Sequence, residues 1–338
     1  MPGGNYGKRN QKTHFSKIGF AYLAGSIVIY AVQFLAAMAG KKFVPGVMAD
    51  ANGSFILLML TMYGISMPFM GWLVSRIPAQ KIEERKMTAG QWIIAFLMCY
   101  GLMYAGNLIG TALTFGIGMV KGTGVDNPML STVMQLNPWV TFVIAVLIAP
   151  TAEELLFRKL LTERIVKYGE LPAVLASGLF FGLFHGNLNQ FSYAFLLGLF
   201  LGFIYVKTGK LGYTIGLHMA INFIGSSLGT WMLRVTGYMD TMETLTEFLN
   251  TRNLTVLGDL GNGMVGMFIF GSYASLILMM AGAGLILMWL NRKKFVCCAP
   301  AEKVASLGKK KVAVMIGNPG ILLYGAFWIG IMIWQLLQ

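Results

Sequence analysis

The chain has 338 residues, of which 56% are hydrophobic and only 12% charged, with a mean hydropathy of +0.67. So little polar surface excludes an ordinary soluble globular domain and implies an integral membrane protein. The net charge of +13 then turns on where the basic residues sit.

In chain order, apolar runs of about 20 residues, the length that crosses a hydrocarbon core about 30 Å thick, fall near 18–39, 55–75, 92–119, 138–160, 171–187, 190–206, 211–234, 263–290 and 314–336. The expected fold is all-α, a polytopic transmembrane bundle of eight or nine helices with the last span the weakest. With the N-terminus cytoplasmic, 21 of the 26 Lys and Arg fall on the inner side, leaving Lys41, Lys42, Lys121, Arg234 and Arg252 outside. This is the positive-inside pattern, and it reads the charge as topology and adherence to anionic lipid rather than as a nucleic-acid footprint.

The expected organisation is a basic cytoplasmic tail at 1–17, N-terminal transmembrane helices at 18–130, a core at 131–235 and C-terminal transmembrane helices at 236–338. Ala37-Met38-Ala39 has the small-residue look of a signal-peptide cleavage site, but the apolar run before it exceeds the usual h-region, so a retained helix is expected. His14 in the tail reads as inert. The outer loop 235–262 carries an amphipathic stretch, MetGluThrLeuThrGluPheLeu, suited to a membrane surface. Cys99, Cys297 and Cys298 make no disulfide framework. Small residues four apart, Gly178/Gly182, Gly198/Gly202, Gly212/Gly216 and Gly225/Gly229, suggest close helix packing in the core.

Charge is otherwise kept out of the apolar runs, which makes Glu153 and Glu154 conspicuous. A charged residue at the centre of a transmembrane helix costs about 2.5–3.5 kcal/mol on insertion scales, so such residues are kept mostly for chemistry, ion binding or pairing. Glu154 and Arg158 are four apart and face each other on a helix, which neutralises one carboxylate and leaves Glu153, about 100° away, for another neighbour. Pro150 removes a backbone donor just before the pair.

Two further groups follow the same i, i+4 spacing, Phe181 with His185 and His218 with Asn222. Glu153 and His218 each lie some six or seven residues from the inner end of their helices, at similar depth, whereas His185 counts deeper. A carboxylate, two imidazoles and a carboxamide can activate water and hold an oxyanion. Glu153 with His185 suits the general base, and His218 with Asn222 suits donors to a tetrahedral oxygen. Glu plus two His is also a catalytic zinc set, though the HExxH helix signature is missing.

In order and spacing, Glu153-Glu154-x-x-x-Arg158, Phe181-x-x-x-His185 and His218-x-x-x-Asn222 resemble the three motifs of the CPBP family. That family comprises CAAX prenyl endopeptidases and bacteriocin-processing or immunity proteins, all multi-helix membrane proteins. The resemblance covers about 150–225, including ThrGlyLysLeuGlyTyrThrIleGlyLeuHisMetAlaIleAsnPhe. It implies Glu153 and His185 as the water-activating pair, His218 and Asn222 as oxyanion stabilisers, and Glu154, Arg158 and Phe181 as supporting groups. No cofactor is expected; a zinc ion, if bound, would take Glu153, His185 and His218.

The expected activity is that of an intramembrane endopeptidase acting on a membrane-associated or lipidated peptide or protein, with a prenylated or bacteriocin-like chain and membrane lipids as partners and no nucleic acid. The expected location is a prokaryotic plasma membrane. Two other readings remain, a non-catalytic immunity or scaffold protein and an ion or proton transporter relaying through Glu153, Glu154 and Arg158; the missing inverted repeat counts against the transporter.

Overall fold

The structure, a computed structural model, describes residues 3–122, 125, 128–253, 260–300 and 311–337, with no strand among them. Ten longer helices carry the fold: α1 Gly3–Phe43, α2 Ala51–Ser75, α3 Ala89–Lys121, α4 Pro138–Tyr168 and α5 Glu170–Phe184, then α6 Leu188–Thr208, α7 over 211–235, α8 Tyr238–Thr251, α9 Leu260–Asn291 and α10 Pro319–Leu337. Seven of them, α1, α2, α3, α4, α6, α9 and α10, are long and apolar enough to span a membrane. The chain is a multi-pass helical bundle, and the ninth apolar run, read as weakest from sequence, is among the seven. The runs at 171–187 and 211–234 are helices too, but α5 has only 15 residues and α7 is not among the seven spans.

Local chemistry sets the boundaries. Thr88 and Gln91 form a reciprocal capping box at the start of α3, satisfying two of the donors a helix start leaves open. The Asn187 side chain accepts from the Asn189 and Gln190 backbone N–H groups at the start of α6. Gly169 (φ 112°) and Gly209 (φ 61°) reverse the chain after α4 and after α6, in backbone conformations that only glycine adopts freely.

Three sequence expectations change here. Residues 8–17 form no separate solvated tail, because α1 already starts at Gly3 and Phe15 and Ile18 are fully buried. His14 is not free in water, since its Nε2 lies 2.8 Å from the Arg164 carbonyl oxygen and links α1 to α4. Arg158, one of the 21 basic residues counted on the inner side, does not flank its helix either. α4 runs on to Tyr168, and the Arg158 side chain is wholly enclosed.

The core holds two buried clusters. One gathers Tyr22, Phe157, Phe180, Phe181 and Tyr324 from α1, α4, α5 and α10; the other gathers Met98, Cys99, Leu201, Leu217 and Ile221 from α3, α6 and α7. α5 and α6 cross closely at the first two of the four small-residue pairs. A Cβ on Gly198 would lie 3.0 Å from Gly178 Cα, and one on Gly202 would lie 2.9 Å from the Ser177 side chain. The other two pairs make no such crossing, since Gly212 and Gly225 face open space.

Extended segments close one end of the bundle. Gln80 and Arg85 donate backbone N–H bonds to the Glu163 and Thr208 carbonyls at 2.6 and 2.7 Å, and Met87 donates to the Tyr213 hydroxyl at 3.1 Å. Beside them the Cys298 N–H donates to Glu170 at 2.7 Å, and Lys207 pairs with the same carboxylate. The chain is therefore pinned below the helices that carry the acidic pair.

Overpacking a close crossing costs about 1–3 kcal/mol. Gly198→Val should therefore lower the thermal midpoint in detergent by several degrees, whereas Gly225→Ala should leave it nearly unchanged. Equal behaviour of the two variants would show that the α5–α6 contact does not hold the bundle.

Candidate active site

Gly169 is the midpoint of a helical hairpin. Glu153 and His185 lie sixteen residues before and after it, so antiparallel α4 and α5 bring both to one level, about 24 Å from the turn at 1.5 Å per residue. This removes the mismatch in depth expected from sequence, where α4 was ended near 160 and Glu153 was placed too close to the inner boundary.

The carboxylates of Glu153 and Glu154 have unequal surroundings. Arg158 Nη2 lies 2.9 Å from Glu154 Oε1, with both side chains fully buried, in the i, i+4 pairing expected from the spacing. The guanidinium also sits 4.5 Å above the Phe181 ring, a cation–π contact in a desolvated place. Among the described residues Glu153 has no such cation, and its side chain keeps 12% exposure.

His218, from α7, bridges the two. Its Nδ1 lies 3.0 Å from Glu154 Oε1, and its Nε2 lies 3.8 Å from Glu153 Oε2. A carboxylate only accepts, so Nδ1 carries the proton in the first contact. Glu153, Glu154 and Arg158 sum to one negative charge. In surroundings of low dielectric a neutral group of residues is cheapest, which places one further proton on the Glu153–His218 pair.

His185 is placed differently from the sequence expectation. Its Nδ1 lies 2.8 Å from the Phe181 carbonyl, which likewise fixes the proton on Nδ1 and leaves Nε2 a free acceptor. Among the described residues it has no direct bond to Glu153; the rings beside it are Phe181 at 4.8 Å and Tyr193 at 6.4 Å. Phe181 also meets His218 edge-on at 5.6 Å, so one ring separates the imidazoles and floors the guanidinium. Among the described residues no three His, Cys, Asp or Glu groups are grouped so as to hold a metal ion, so Glu153, His185 and His218 do not form the zinc set named from sequence.

Asn222 Nδ2 donates to the Ala145 carbonyl at 2.9 Å. The acceptor lies in a π-helical stretch, Phe142–Ile148, just before Pro150, where the helix has lost its regular i→i−4 ladder. A second π-helical stretch, Leu155–Leu160, starts directly after the acidic pair. There the Tyr22 hydroxyl takes the Leu156 carbonyl at 2.6 Å, and the Ser177 hydroxyl lies 3.1 Å from the Phe157 carbonyl. A third, Phe223–Leu228, follows Asn222, and the Tyr273 hydroxyl takes the Ile224 carbonyl at 2.8 Å. Carbonyls of these stretches are thus met by side chains of other helices, Leu156 and Ile224 in addition to the backbone N–H groups of Leu161 and Gly229, which keeps polar backbone satisfied as hydrocarbon surroundings require.

Three contributors were not singled out in the sequence: Ser177 behind Arg158, and Tyr63 and Tyr193, both in electrostatic range of Glu153. Tyr63 belongs to α2, ninety residues upstream, and no spacing pattern connects it to the motifs. It also lines an apolar groove of about 400 Å³ between α2 and α4, together with Ile56, Met59, Leu60, Val140 and Ile144.

Residues 135–224 match the family model of the type II CAAX prenyl endopeptidase Rce1-like proteins. The match contains all three motifs and agrees with the CPBP resemblance, and the family it names is one of membrane proteases. No curated protein and no solved structure matches the chain.

Removing one partner of a buried pair leaves an uncompensated charge, at about 3–5 kcal/mol. Arg158→Ala should therefore unfold at a markedly lower temperature than the parent. The double variant Glu154→Gln/Arg158→Met should recover much of that stability. If Arg158→Ala alone melts like the parent, the pair is not buried as described.

Proposed function

We propose that this Rce1-like segment is the catalytic domain of an intramembrane endopeptidase, in which Glu153 activates water against a peptide bond of a lipid-modified substrate. The observation that carries the reading is the inequality of the two glutamates. Arg158 neutralises Glu154, while Glu153 stays unpaired by any cation side chain of fixed charge and faces an imidazole that Glu154 has oriented.

Chemistry follows from the proton count. With Glu153 ionised and His218 protonated, a substrate carbonyl oxygen seated by His218 Nε2 receives a charge-assisted hydrogen bond. Asn222 has one N–H occupied by Ala145, and its second N–H supplies another donor to the developing oxyanion. Water gives one hydrogen bond to Glu153 and one to the open Nε2 of His185, then attacks the carbonyl carbon as its proton passes to Glu153. The C–N bond breaks as the tetrahedral intermediate collapses, and Glu153 returns that proton to the leaving nitrogen. Products are a carboxylic acid and an amine, the site is restored to its starting charge, and the acid gives up its proton to solvent on release.

The groove beside Tyr63 suggests what the substrate carries. Its lining side chains are overwhelmingly apolar, its size falls in the range of about 300–1,000 Å³ typical of small-ligand sites, and it opens between two membrane-spanning helices. An isoprenoid or acyl chain fits those conditions, and we assign the groove to it, with the peptide leading toward Glu153. The preponderance of basic residues at the end closed by the 76–88 segment supports a cytoplasmic position for that end, in a cell membrane of prokaryotic type.

In vesicles, Glu153→Gln should reduce hydrolysis of a farnesylated reporter peptide by at least about a hundredfold, the lower range for a general base, with the fold retained. Full cleavage by that variant would overturn the proposal and favour a non-catalytic role. Exhaustive treatment with a chelator should leave cleavage unchanged, because Glu153, His185, His218 and Asn222 provide base and donors by themselves. Ile144→Trp, which fills the groove, should raise KM for the farnesylated reporter more than for the same peptide without the lipid.

A further inference from the structure

On α5, Ser177, Phe181 and His185 lie four residues apart in succession, so three turns present them as one stripe. Phe181 and His185 belong to the motif read from sequence. Ser177 extends the stripe by one turn toward Gly169, and its side chain is fully buried.

Its hydroxyl occupies a junction. Arg158 Nη1 donates to Ser177 Oγ at 3.1 Å. The hydroxyl has a single proton of its own to give, and it faces the Phe157 carbonyl at 3.1 Å and the Gly198 carbonyl at 3.4 Å. Gly202 leaves room for it, since a Cβ there would press on Ser177 at 2.9 Å. Arg158 Nε has no acceptor among the described residues, so Ser177 supplies a hydroxyl acceptor to a guanidinium that is otherwise short of partners.

We propose that Ser177 is a positioning residue for the hydrolysis assigned above, setting Arg158 so that Glu154 in turn fixes His218 against Glu153. The contacts form a continuous line from Ser177 Oγ to Arg158, from Arg158 to Glu154 Oε1 at 2.9 Å, from Glu154 to His218 Nδ1 at 3.0 Å, and from His218 Nε2 to Glu153 at 3.8 Å. Ser177 touches neither substrate nor reacting atoms. It acts twice on Arg158, through the guanidinium and through the carbonyl of the preceding residue in the π-helical stretch Leu155–Leu160. A mispositioned group far from the reacting atoms can reduce rate steeply, and loss of a hydrogen bond to a buried charged group corresponds to about a ten- to hundredfold change.

This inference rests on the endopeptidase reading, but one of its tests does not. The chain has only three histidines, so protein labelled with ¹⁵N at histidine resolves His14, His185 and His218 by NMR without any substrate. Ser177→Ala should change the His218 tautomer signals, while those of His14 stay unchanged. Ser26→Ala, which removes another fully buried hydroxyl that bonds within its own helix, should leave all three unchanged.

In the vesicle assay with the farnesylated reporter, Ser177→Ala should reduce kcat about ten- to a hundredfold with KM within about twofold. Ser177→Cys, similar in size and a weaker acceptor, should fall between Ser177→Ala and the parent in both readouts. If Ser177→Ala does not fold, the cysteine variant decides alone, and parental His218 signals and kcat in it would overturn the proposal. Altered His218 signals in Ser177→Ala, together with a parent that cleaves nothing, would sink the endopeptidase reading and leave the positioning line standing.

Discussion

The ion pair between Glu154 and Arg158, enclosed in the bundle with no exposed surface on either side chain, is the constraint on which the rest of the site depends. Two adjacent carboxylates at membrane depth would repel each other and carry two uncompensated charges. One guanidinium on the next turn resolves half of that problem and divides the glutamates into one held and one available. The division then propagates, because the held carboxylate fixes the proton on His218 Nδ1 and so decides which imidazole nitrogen faces Glu153. The steps differ in kind, an ion pair from Arg158 to Glu154, a hydrogen bond from His218 to Glu154 and a 3.8 Å approach of His218 to Glu153, yet each needs low-dielectric surroundings that the Phe157 and Phe181 cluster supplies.

Backbone irregularity serves the same end. α4 and α7 both open into π-helical turns beside their functional residues, and side chains from other helices bond to carbonyls in these turns. Tyr22, Ser177, Asn222 and Tyr273 each close one such bond. They tie α1, α5, α7 and α9 to the helices that carry the site. Breaks in regular helix that would be unfavourable facing lipid are thus converted into the joints of the bundle.

Much of this was legible in the chain. The apolar runs marked the helices, and i, i+4 spacing paired Glu154 with Arg158 and set His185 one turn beyond Phe181. The hairpin about Gly169 was legible as well, but a helix end drawn eight residues early at 160 hid it and misplaced Arg158 among the flanking charges. Other features had no local signal. π-helical turns follow from carbonyls captured by distant side chains, Ser177 looks like any small residue in an apolar helix, and Tyr63 reaches the site only through the packing of α2 on α4. The basic N-terminal stretch read as solvated because its charge count concealed Phe15, whose ring meets Tyr168 at the end of α4, and Ile18, both fully buried.

The central claim is that Glu153 is the carboxyl group that exchanges its proton in the working site while Glu154 does not. Infrared difference spectroscopy of the protein in vesicles, titrated across its working pH range, reads carboxyl protonation directly. The account predicts a carboxylic acid band that vanishes in Glu153→Gln and persists in Glu154→Gln. A band that survives in Glu153→Gln and disappears in Glu154→Gln would contradict it.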